Sequence, residues 1–263
     1  MLGIKRILTF VAVQSVAARA LSTGTLQGFR TDGIGGSGIS LVPKDEKYNS
    51  VVVWMHGLGD TADGWASLMP MLDVKETKFI LPTANQRPIT LNGGYEMPGW
   101  SDIYGLDESS PEDADGFMES ARRVEEIVLQ EIENGIASEN MVIGGFSQGG
   151  ALALHYTLRS KYRFAGVAAL STWLPLRGDY PGVLTDEAKS SLRLFQAHGS
   201  ADEVVQLPWG KLSHLQLKEW VTNGKSDTIK DDFQFLEIQN MGHSSDQEEI
   251  DALRDVLKKW LGK

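Results

Sequence analysis

The chain has 263 residues, 41% of them hydrophobic, which is enough to bury the core of one ordinary globular domain. Its formal net charge of −10 argues against nucleic-acid binding and against steady attachment to anionic membranes, leaving at most transient contact with a membrane surface. The chain has no cysteine, which excludes disulfides, thiolate metal sites and a cysteine nucleophile, and no motif indicates a metal ion or a cofactor.

The first 25 residues differ in composition from the rest of the chain. Two basic residues precede an apolar run at 7–13, and no acidic residue occurs before Asp32. The motif Ala18-Arg19-Ala20 fits secretory cleavage, whereas the interrupted apolar run and the Arg and Ser content suit an organellar transit peptide. We therefore predict a targeting segment at 1–25, or alternatively a disordered start, followed by a single domain at 26–263.

Beyond this segment, strand-like and helix-like runs alternate. The predicted strands lie at 50–55, 77–81, 140–146, 165–170, 192–198 and 233–238. The predicted helices lie at 62–72, 114–133, 148–160, 208–222 and 247–261. This alternation predicts an α/β fold whose mostly parallel central sheet has helices on both faces and its functional groups at the carboxyl ends of the strands. Segment 82–113 has little regular pattern and is predicted to be a binding loop.

The pentapeptide Gly145-Phe-Ser147-Gln-Gly149 lies where a predicted strand meets a predicted helix. Such a sharp turn strains its central residue and lifts that side chain clear of the sheet, and flanking glycines leave room for it. The N–H of Gln148 then lies at a helix N-terminus, which favours negative charge. We predict Ser147 as a nucleophile and Gln148 N–H as an oxyanion donor, provided that an acid and a base follow downstream.

A base that deprotonates the serine needs a loop over the strand tips and a carboxylate that fixes its tautomer. His243 and Asp202 each follow a predicted strand and meet this requirement. The alternatives are a loop-capping histidine and an ordinary turn aspartate. His198 is predicted to anchor the acid loop, and His56 to form a hydrogen bond within its own loop.

His155 and His214 are predicted to be ordinary helix residues.

The second oxyanion donor is predicted to come from the loop after the first strong strand, His56-Gly57-Leu58-Gly59-Asp60. Its two glycines let backbone N–H groups approach a substrate oxygen, and Leu58 N–H is the candidate. The alternative is a glycine turn without a catalytic role.

Six segments in order carry a family resemblance: HGLGDTADGW (56–65), LPTANQRPITLNGGYEMPGWSDI (81–103), GGFSQGGALAL (144–154), LSTWLPL (170–176), HGSADEVV (198–205) and MGHSSDQEE (241–249). Together they resemble the acyl-protein thioesterases and lysophospholipases, the phospholipase/carboxylesterase group of α/β-hydrolases. The resemblance covers about 38–263 and implies an α/β-hydrolase fold. It matches Ser147, Asp202 and His243 to the nucleophile, acid and base, and Leu58 and Gln148 to the oxyanion residues.

The resemblance also implies an apolar groove for the substrate acyl chain, with Leu58 at its floor. The matching positions are Ile103, Leu106, Trp173, Val204 and Trp209, each of which could alternatively be ordinary core. The chain departs from the family at Thr172, where relatives often have cysteine or glycine, at Glu203, where a proline is common, and at Ser101, where an aromatic residue is usual.

The expected activity is hydrolysis of fatty acyl thioesters of S-acylated proteins, or of carboxylic esters and lysophospholipids, without a cofactor. The alternatives are a general short-chain carboxylesterase and, from another class, a non-catalytic binding protein on a hydrolase scaffold. The resemblance favours a cytoplasmic location, whereas a cleaved segment at 1–25 would direct the chain to the secretory pathway or an organelle. The sequence carries no signal for an oligomeric state.

Overall fold

The computed structural model describes residues 28–34, 37–107, 110–222 and 232–263, through which a mixed sheet of eight strands runs. These strands are β1 (Phe29–Gly33), β2 (Gly38–Pro43), β3 (Ser50–Met55), β4 (Thr77–Pro82), β7 (Met141–Phe146), β8 (Gly166–Leu170), β9 (Leu194–Gly199) and β10 (Phe233–Ile238). Two further strands, β5 (Gln86–Ile89) and β6 (Tyr95–Pro98), form a separate antiparallel hairpin. The targeting segment predicted at 1–25 lies outside the described residues.

The spatial order of the main sheet is β1-β2-β4-β3-β7-β8-β9-β10. The pairs β1/β2 and β2/β4 are antiparallel, and the five pairs from β4/β3 to β9/β10 are parallel. The α-helices in the described residues are α1 (Asp63–Ala66), α2 (Ala114–Glu133), α3 (Gln148–Arg159), α4 (Asp186–Ser191), α5 (Leu207–Thr222) and α6 (Gln247–Leu261). None of these helices combines the length and apolarity needed to cross a membrane.

Strand β3 shows why the central strands are continuously apolar. Val51, Val53 and Met55 pack into one hydrophobic cluster, and Val52 and Trp54 pack into a second cluster. Because successive side chains of a strand point to opposite faces, the two clusters lie on opposite sides of the sheet. Side chains of α2 and α3 contribute to the first cluster and those of α6 to the second. Both faces are therefore covered, as the sequence predicts.

The parallel strands bring several loops to one edge of the sheet. β3 ends at Met55, just before the loop that carries Leu58, and β7 ends at Phe146, next to Ser147. β9 and β10 end three and five residues before Asp202 and His243, respectively. Since parallel neighbours have their carboxyl ends at the same edge, these loops converge there.

The six strands predicted from apolar runs all form, with ends that agree within two residues. The helix predicted at 62–72 is wrong as a single element, because it breaks after α1 and resumes as a 3₁₀ helix at Met69–Leu72. Pro70 lies in the first turn of that second piece, where its missing N–H is tolerated. Segment 82–113 is more ordered than predicted, since it contains the β5/β6 hairpin.

Candidate active site

Ser147 occupies the turn between β7 and α3 with a backbone conformation that few non-glycine residues adopt. Its φ and ψ are 55° and −121°, and its N–H donates to the carbonyl of Leu170 on the neighbouring strand at 2.8 Å. A Cβ on Gly145 would lie 2.6 Å from the carbonyl oxygen of Met55, and a Cβ on Gly149 only 2.2 Å from the same atom. The turn therefore requires glycine on both sides, and its strain is of the kind held at functional sites.

The three residues predicted as nucleophile, base and acid form one hydrogen-bonded chain. His243 Nε2 lies 2.9 Å from Ser147 Oγ, and His243 Nδ1 lies 2.8 Å from Asp202 Oδ2. A carboxylate beside Nδ1 keeps the proton on that nitrogen, so the Nε2 lone pair faces the serine hydroxyl. The arrangement can remove the serine proton when Oγ attacks a carbonyl carbon.

The side chain of Asp202, the predicted acid, is buried although its neighbours in the loop are exposed. The side chain of Asp202 has no exposed surface, and its Oδ1 accepts hydrogen bonds from the N–H groups of Val204 and Val205, each at 2.9 Å. Burial opposes ionisation, but hydrogen bonds from His198 and His243 outweigh it and hold the pKa of Asp202 well below its usual range. Asp202 is therefore an anion at neutral pH, able to stabilise a protonated His243.

His198 has the structural position predicted for it. Its Nε2 lies 2.7 Å from the carbonyl oxygen of Val205 and 3.4 Å from Asp202 Oδ2. A Cβ on Gly210 would lie 2.4 Å from His198 Nδ1, so helix α5 packs directly against the imidazole. His198 thus connects the end of β9 to both sides of the acid loop and does not reach Ser147.

Of the two candidate oxyanion residues, Leu58 lies on the loop after β3, and Gln148 is the first residue of α3, directly after Ser147. Among the described residues, neither backbone N–H is hydrogen-bonded to a protein acceptor. A Cβ on Gly57 would lie 3.4 Å from the Cβ of Ser147, which puts the loop of Leu58 against the serine. Backbone donors of this kind stabilise the negative charge that develops on a carbonyl oxygen during acyl transfer.

The side chain of Gln148 has a role that sequence reasoning missed. It is buried, and its Oε1 accepts from Trp100 N–H at 2.8 Å while its Nε2 donates to the carbonyl and hydroxyl of Ser101. Trp100 Nε1 in turn donates to the carbonyl of His56 at 2.8 Å. The amide and indole therefore connect the start of α3 to the loop that carries Leu58, through contacts between residues far apart in the chain.

The remaining histidines behave as neutral core residues. His56 bonds within its loop as predicted, with Nδ1 2.7 Å from the carbonyl of Gly57, while Nε2 accepts from Ala84 N–H. Burial lowers the pKa of His56, His155 and His214 to about 4 in each case. None of the three reaches the serine.

A buried carboxyl group lies behind the acid loop, and the sequence pattern does not reveal it. Glu249, on the first turn of α6, has no exposed surface, and neither of its carboxyl oxygens has a hydrogen-bond partner among the described residues. Burial raises its pKa to about 8, and the negative charges of Asp246 and Asp202 act in the same direction. Glu249 is therefore mostly protonated at neutral pH.

All five residues predicted to bind an acyl chain line a cleft of about 240 Å³ beside the predicted catalytic residues. They are Ile103, Leu106, Trp173, Val204 and Trp209. Leu58 is not among the residues that line this cleft, and its Cδ1 lies 3.1 Å from where a Cβ on Gly99 would be, so its place at the floor of an acyl groove stays a prediction. Ser147, Asp202 and His243 do not line the cleft either. The cleft residue Val204, however, donates a backbone hydrogen bond to Asp202 Oδ1.

The loop after β8 also connects the cleft to the nucleophile. Thr172 is buried, and its Oγ1 donates to the carbonyl oxygen of Ser147 at 2.7 Å, one residue before the cleft residue Trp173. Sequence reasoning marks Thr172 only as a departure from the family pattern. Within the described ranges, no three acidic or histidine side chains converge as a metal site would require.

Comparisons with known proteins identify the family of the chain. The sequence model of the phospholipase/carboxylesterase family matches residues 38–261. Acyl-protein thioesterase 1 of Neurospora crassa is 39% identical over 233 residues, covering 85% of this chain and 91% of that protein. The protein of the same name from Mycosarcoma maydis is 39% identical over 229 residues, covering 82% and 92%.

Solved structures agree as well. Acyl-protein thioesterase 2 of Zea mays superposes with a TM-score of 0.74 at 31% identity, covering 89% of this chain and 99% of that one. SOBER1 of Arabidopsis thaliana superposes with a TM-score of 0.73 at 28% identity, covering 81% and 99%. These similarities confirm the fold and the resemblance found in the sequence. The chain belongs to the phospholipase/carboxylesterase family of α/β-hydrolases.

Proposed function

We propose that this hydrolase cleaves fatty acyl thioesters of S-acylated proteins, with Ser147 as nucleophile, His243 as general base and Asp202 as the orienting acid. The observation that carries the proposal is the hydrogen-bonded chain from Ser147 Oγ through His243 to the ionised Asp202. The names of the two fungal relatives, both acyl-protein thioesterases, support the substrate class.

In the acylation step, Ser147 Oγ attacks the thioester carbonyl carbon while its proton passes to His243 Nε2. The carbonyl oxygen becomes an anion that Leu58 N–H and Gln148 N–H bind, and Asp202 stabilises the charged imidazole. When the intermediate collapses, the C–S bond breaks and the cysteine thiol of the substrate protein leaves with the proton from His243. An acyl-serine ester remains.

In the deacylation step, water takes the place of the serine hydroxyl. His243 removes a proton from the water as its oxygen attacks the ester carbonyl, and the same two N–H groups bind the oxyanion. Collapse breaks the bond to Ser147 Oγ, which receives the proton, and the fatty acid leaves. Each oxyanion donor is worth about 2.7–4 kcal/mol of barrier lowering in comparable hydrolases.

The cleft beside the triad supports a fatty chain as the acyl group. Its five predicted residues are all apolar or aromatic, as expected of a site that binds an alkyl chain, while charged residues such as Asp102, Glu112 and Arg177 line other parts of the cleft. The same triad and oxyanion donors would also act on oxygen esters, since both reactions pass through a similar tetrahedral anion. A general short-chain carboxylesterase is therefore the outcome against which the proposal is tested.

The test is hydrolysis of matched acyl thioesters and p-nitrophenyl esters from two to sixteen carbons by the purified full-length chain, with Ser147→Ala measured alongside. The proposal expects kcat/KM to rise with thioester chain length and Ser147→Ala to lose about 10⁶-fold in kcat. Activity confined to short esters would leave a general carboxylesterase. Near-normal turnover by a folded Ser147→Ala variant would refute the nucleophile.

A further inference from the structure

Two loops line the cleft, and among the described residues the carboxylate of Glu112 on one loop forms hydrogen bonds to the other loop. Glu112 accepts a hydrogen bond at Oε1 from the indole Nε1 of Trp173, at 2.9 Å, and another at Oε2 from the N–H of Leu176, at 2.6 Å. Glu112 belongs to the loop before α2, whereas both donors belong to the loop after β8. We call this pair of bonds the Glu112 bridge.

The carboxylate of Glu112 projects from a fixed backbone. Glu112 pairs with the cleft residue Ile103 in an antiparallel β-bridge, and its carbonyl accepts from Ala114 N–H at 3.1 Å. The next residue, Asp113, caps α2 by accepting from Gly116 N–H. The backbone of Glu112 is thus held at the start of a 20-residue helix, and the exposed carboxylate extends from it to the opposite loop.

The opposite loop has an unfavourable backbone conformation at the residue that Glu112 binds. Leu176 has a φ of 52°, in the left-handed region that disfavours residues with a Cβ, and the N–H of this residue is the one bound by Glu112. Farther along the wall, Leu174 N–H donates to Ser213 Oγ at 2.8 Å, and Ser213 Oγ donates to the carbonyl of Trp209 at 2.7 Å. The loop after β8, which carries Trp173, is thereby connected through Ser213 to Trp209 and through its own hydrogen bonds to Glu112.

We propose that Glu112 is a specificity-determining positioning residue, which fixes the separation of the cleft walls and so the acyl chains that the cleft accepts. The inference rests on the proposed function, because it takes the cleft as the acyl site. Each buried methylene group can improve binding by about fourfold, but only where the walls contact it. Without the Glu112 bridge, the indole of Trp173 loses its hydrogen-bond partner and can turn away from the acyl chain, so long acyl chains lose more affinity than short ones.

The direct test measures binding without chemistry. The full-length chain carrying Ser147→Ala is titrated with cis-parinaric acid, a fluorescent fatty acid of 18 carbons. Adding Glu112→Ala or Trp173→Phe, which removes the carboxylate or the indole donor, is expected to weaken binding at least fivefold. Because both substitutions break the same bond, the combination should weaken binding little more than the stronger single change.

Asp115→Ala is the matched control. Asp115 is exposed on the first turn of α2 and its charge acts on the cleft residue Tyr104, but it takes no part in the Glu112 bridge. Its removal is expected to change the affinity less than twofold. An equal effect of Asp115→Ala and Glu112→Ala would mean that charge alone matters and would overturn the proposal, as would unchanged affinity in Glu112→Ala.

A second measurement uses the active chain. Glu112→Ala is expected to lower kcat/KM for sixteen-carbon substrates at least fivefold more than for two-carbon substrates, and a uniform change across chain lengths would overturn the proposal. Failure of cis-parinaric acid to bind the Ser147→Ala chain would overturn it too. The proposed function fails by different results, namely activity of the unsubstituted chain confined to short esters or residual turnover in Ser147→Ala, so the two failures are distinguishable.

Discussion

The hydroxyl of Thr172 donates a hydrogen bond to the carbonyl oxygen of Ser147, so a residue of the loop after β8 supports the strained turn of the neighbouring strand. The same carbonyl accepts from Ala151 N–H at 3.0 Å at the start of α3. Thr172 therefore acts on the nucleophile through its backbone and leaves the reacting oxygen free.

Thr172→Val tests this support, because it removes the hydroxyl while keeping a branched side chain of similar size. We expect kcat to fall about three- to tenfold with KM nearly unchanged, and unfolding free energy to fall by about 1–3 kcal/mol since the buried carbonyl loses one donor. Thr172→Ser retains the hydroxyl and should restore kcat. Equal kcat values in all three proteins would rule out the positioning role.

Asp202→Asn is expected to lower kcat by about 10⁴-fold without unfolding the protein. The N–H groups of Val204 and Val205 both point at Oδ1, so the amide oxygen of Asn must take that position. Its NH₂ group then faces His243 Nδ1 and favours the tautomer with the proton on Nε2, which cannot accept the serine proton. Steady-state kinetics would check this, with Glu203→Gln, an exposed neighbour, expected to retain activity.

Gly149→Ala tests the steric requirement of the nucleophile turn. The added Cβ would lie 2.2 Å from the carbonyl oxygen of Met55 and 2.5 Å from that of His56, so backbone must move. We expect a loss of about 1–3 kcal/mol in unfolding free energy and of most activity. Gly33→Ala is the control, because its Cβ would meet no atom within 4 Å. Urea denaturation of both variants, read with esterase activity, decides the matter.

Glu249 predicts a pH dependence of stability. Its pKa is raised in the folded chain, so the protonated carboxyl stabilises fully below the ordinary pKa of 4.5, and this stabilisation is lost as pH rises through about 8. Glu249→Gln removes the titration and should flatten the decline of Tm between pH 5 and 8.5. Calorimetry across this range measures the effect.

Glu248→Gln is the matched control for that measurement, since Glu248 is exposed one residue earlier on α6. It should follow the wild-type profile of Tm against pH. A Glu249→Gln profile parallel to that of the wild type would mean that Glu249 does not carry the dependence.

The residues around Ser147 show how much of the site is legible in the sequence. Gly145, Ser147 and Gly149 lie within five positions, so the turn leaves a local signature in the sequence, although Met55, a distant residue, is among those that exclude a Cβ at both glycines. The apolar runs likewise predict the central strands, because a strand covered on both faces has no polar positions to interrupt it. Both patterns involve residues that are close together in the sequence and can therefore be recognised without the structure.

Contacts between distant segments depend on the order of the strands in the sheet. The apolar run of an individual strand does not show which strands will be its neighbours. The bonds of Glu112 to Trp173, of Thr172 to Ser147 and of Gln148 to Trp100 each join residues that only the folded sheet brings together. Strand β1 could not be predicted from the sequence either, because its partly exposed position at the edge of the sheet leaves it without the apolar run of a central strand. Ser147 could thus be predicted as the nucleophile from its neighbours in sequence, whereas the residues that contact it and line the nearby cleft were identified only from their neighbours in space.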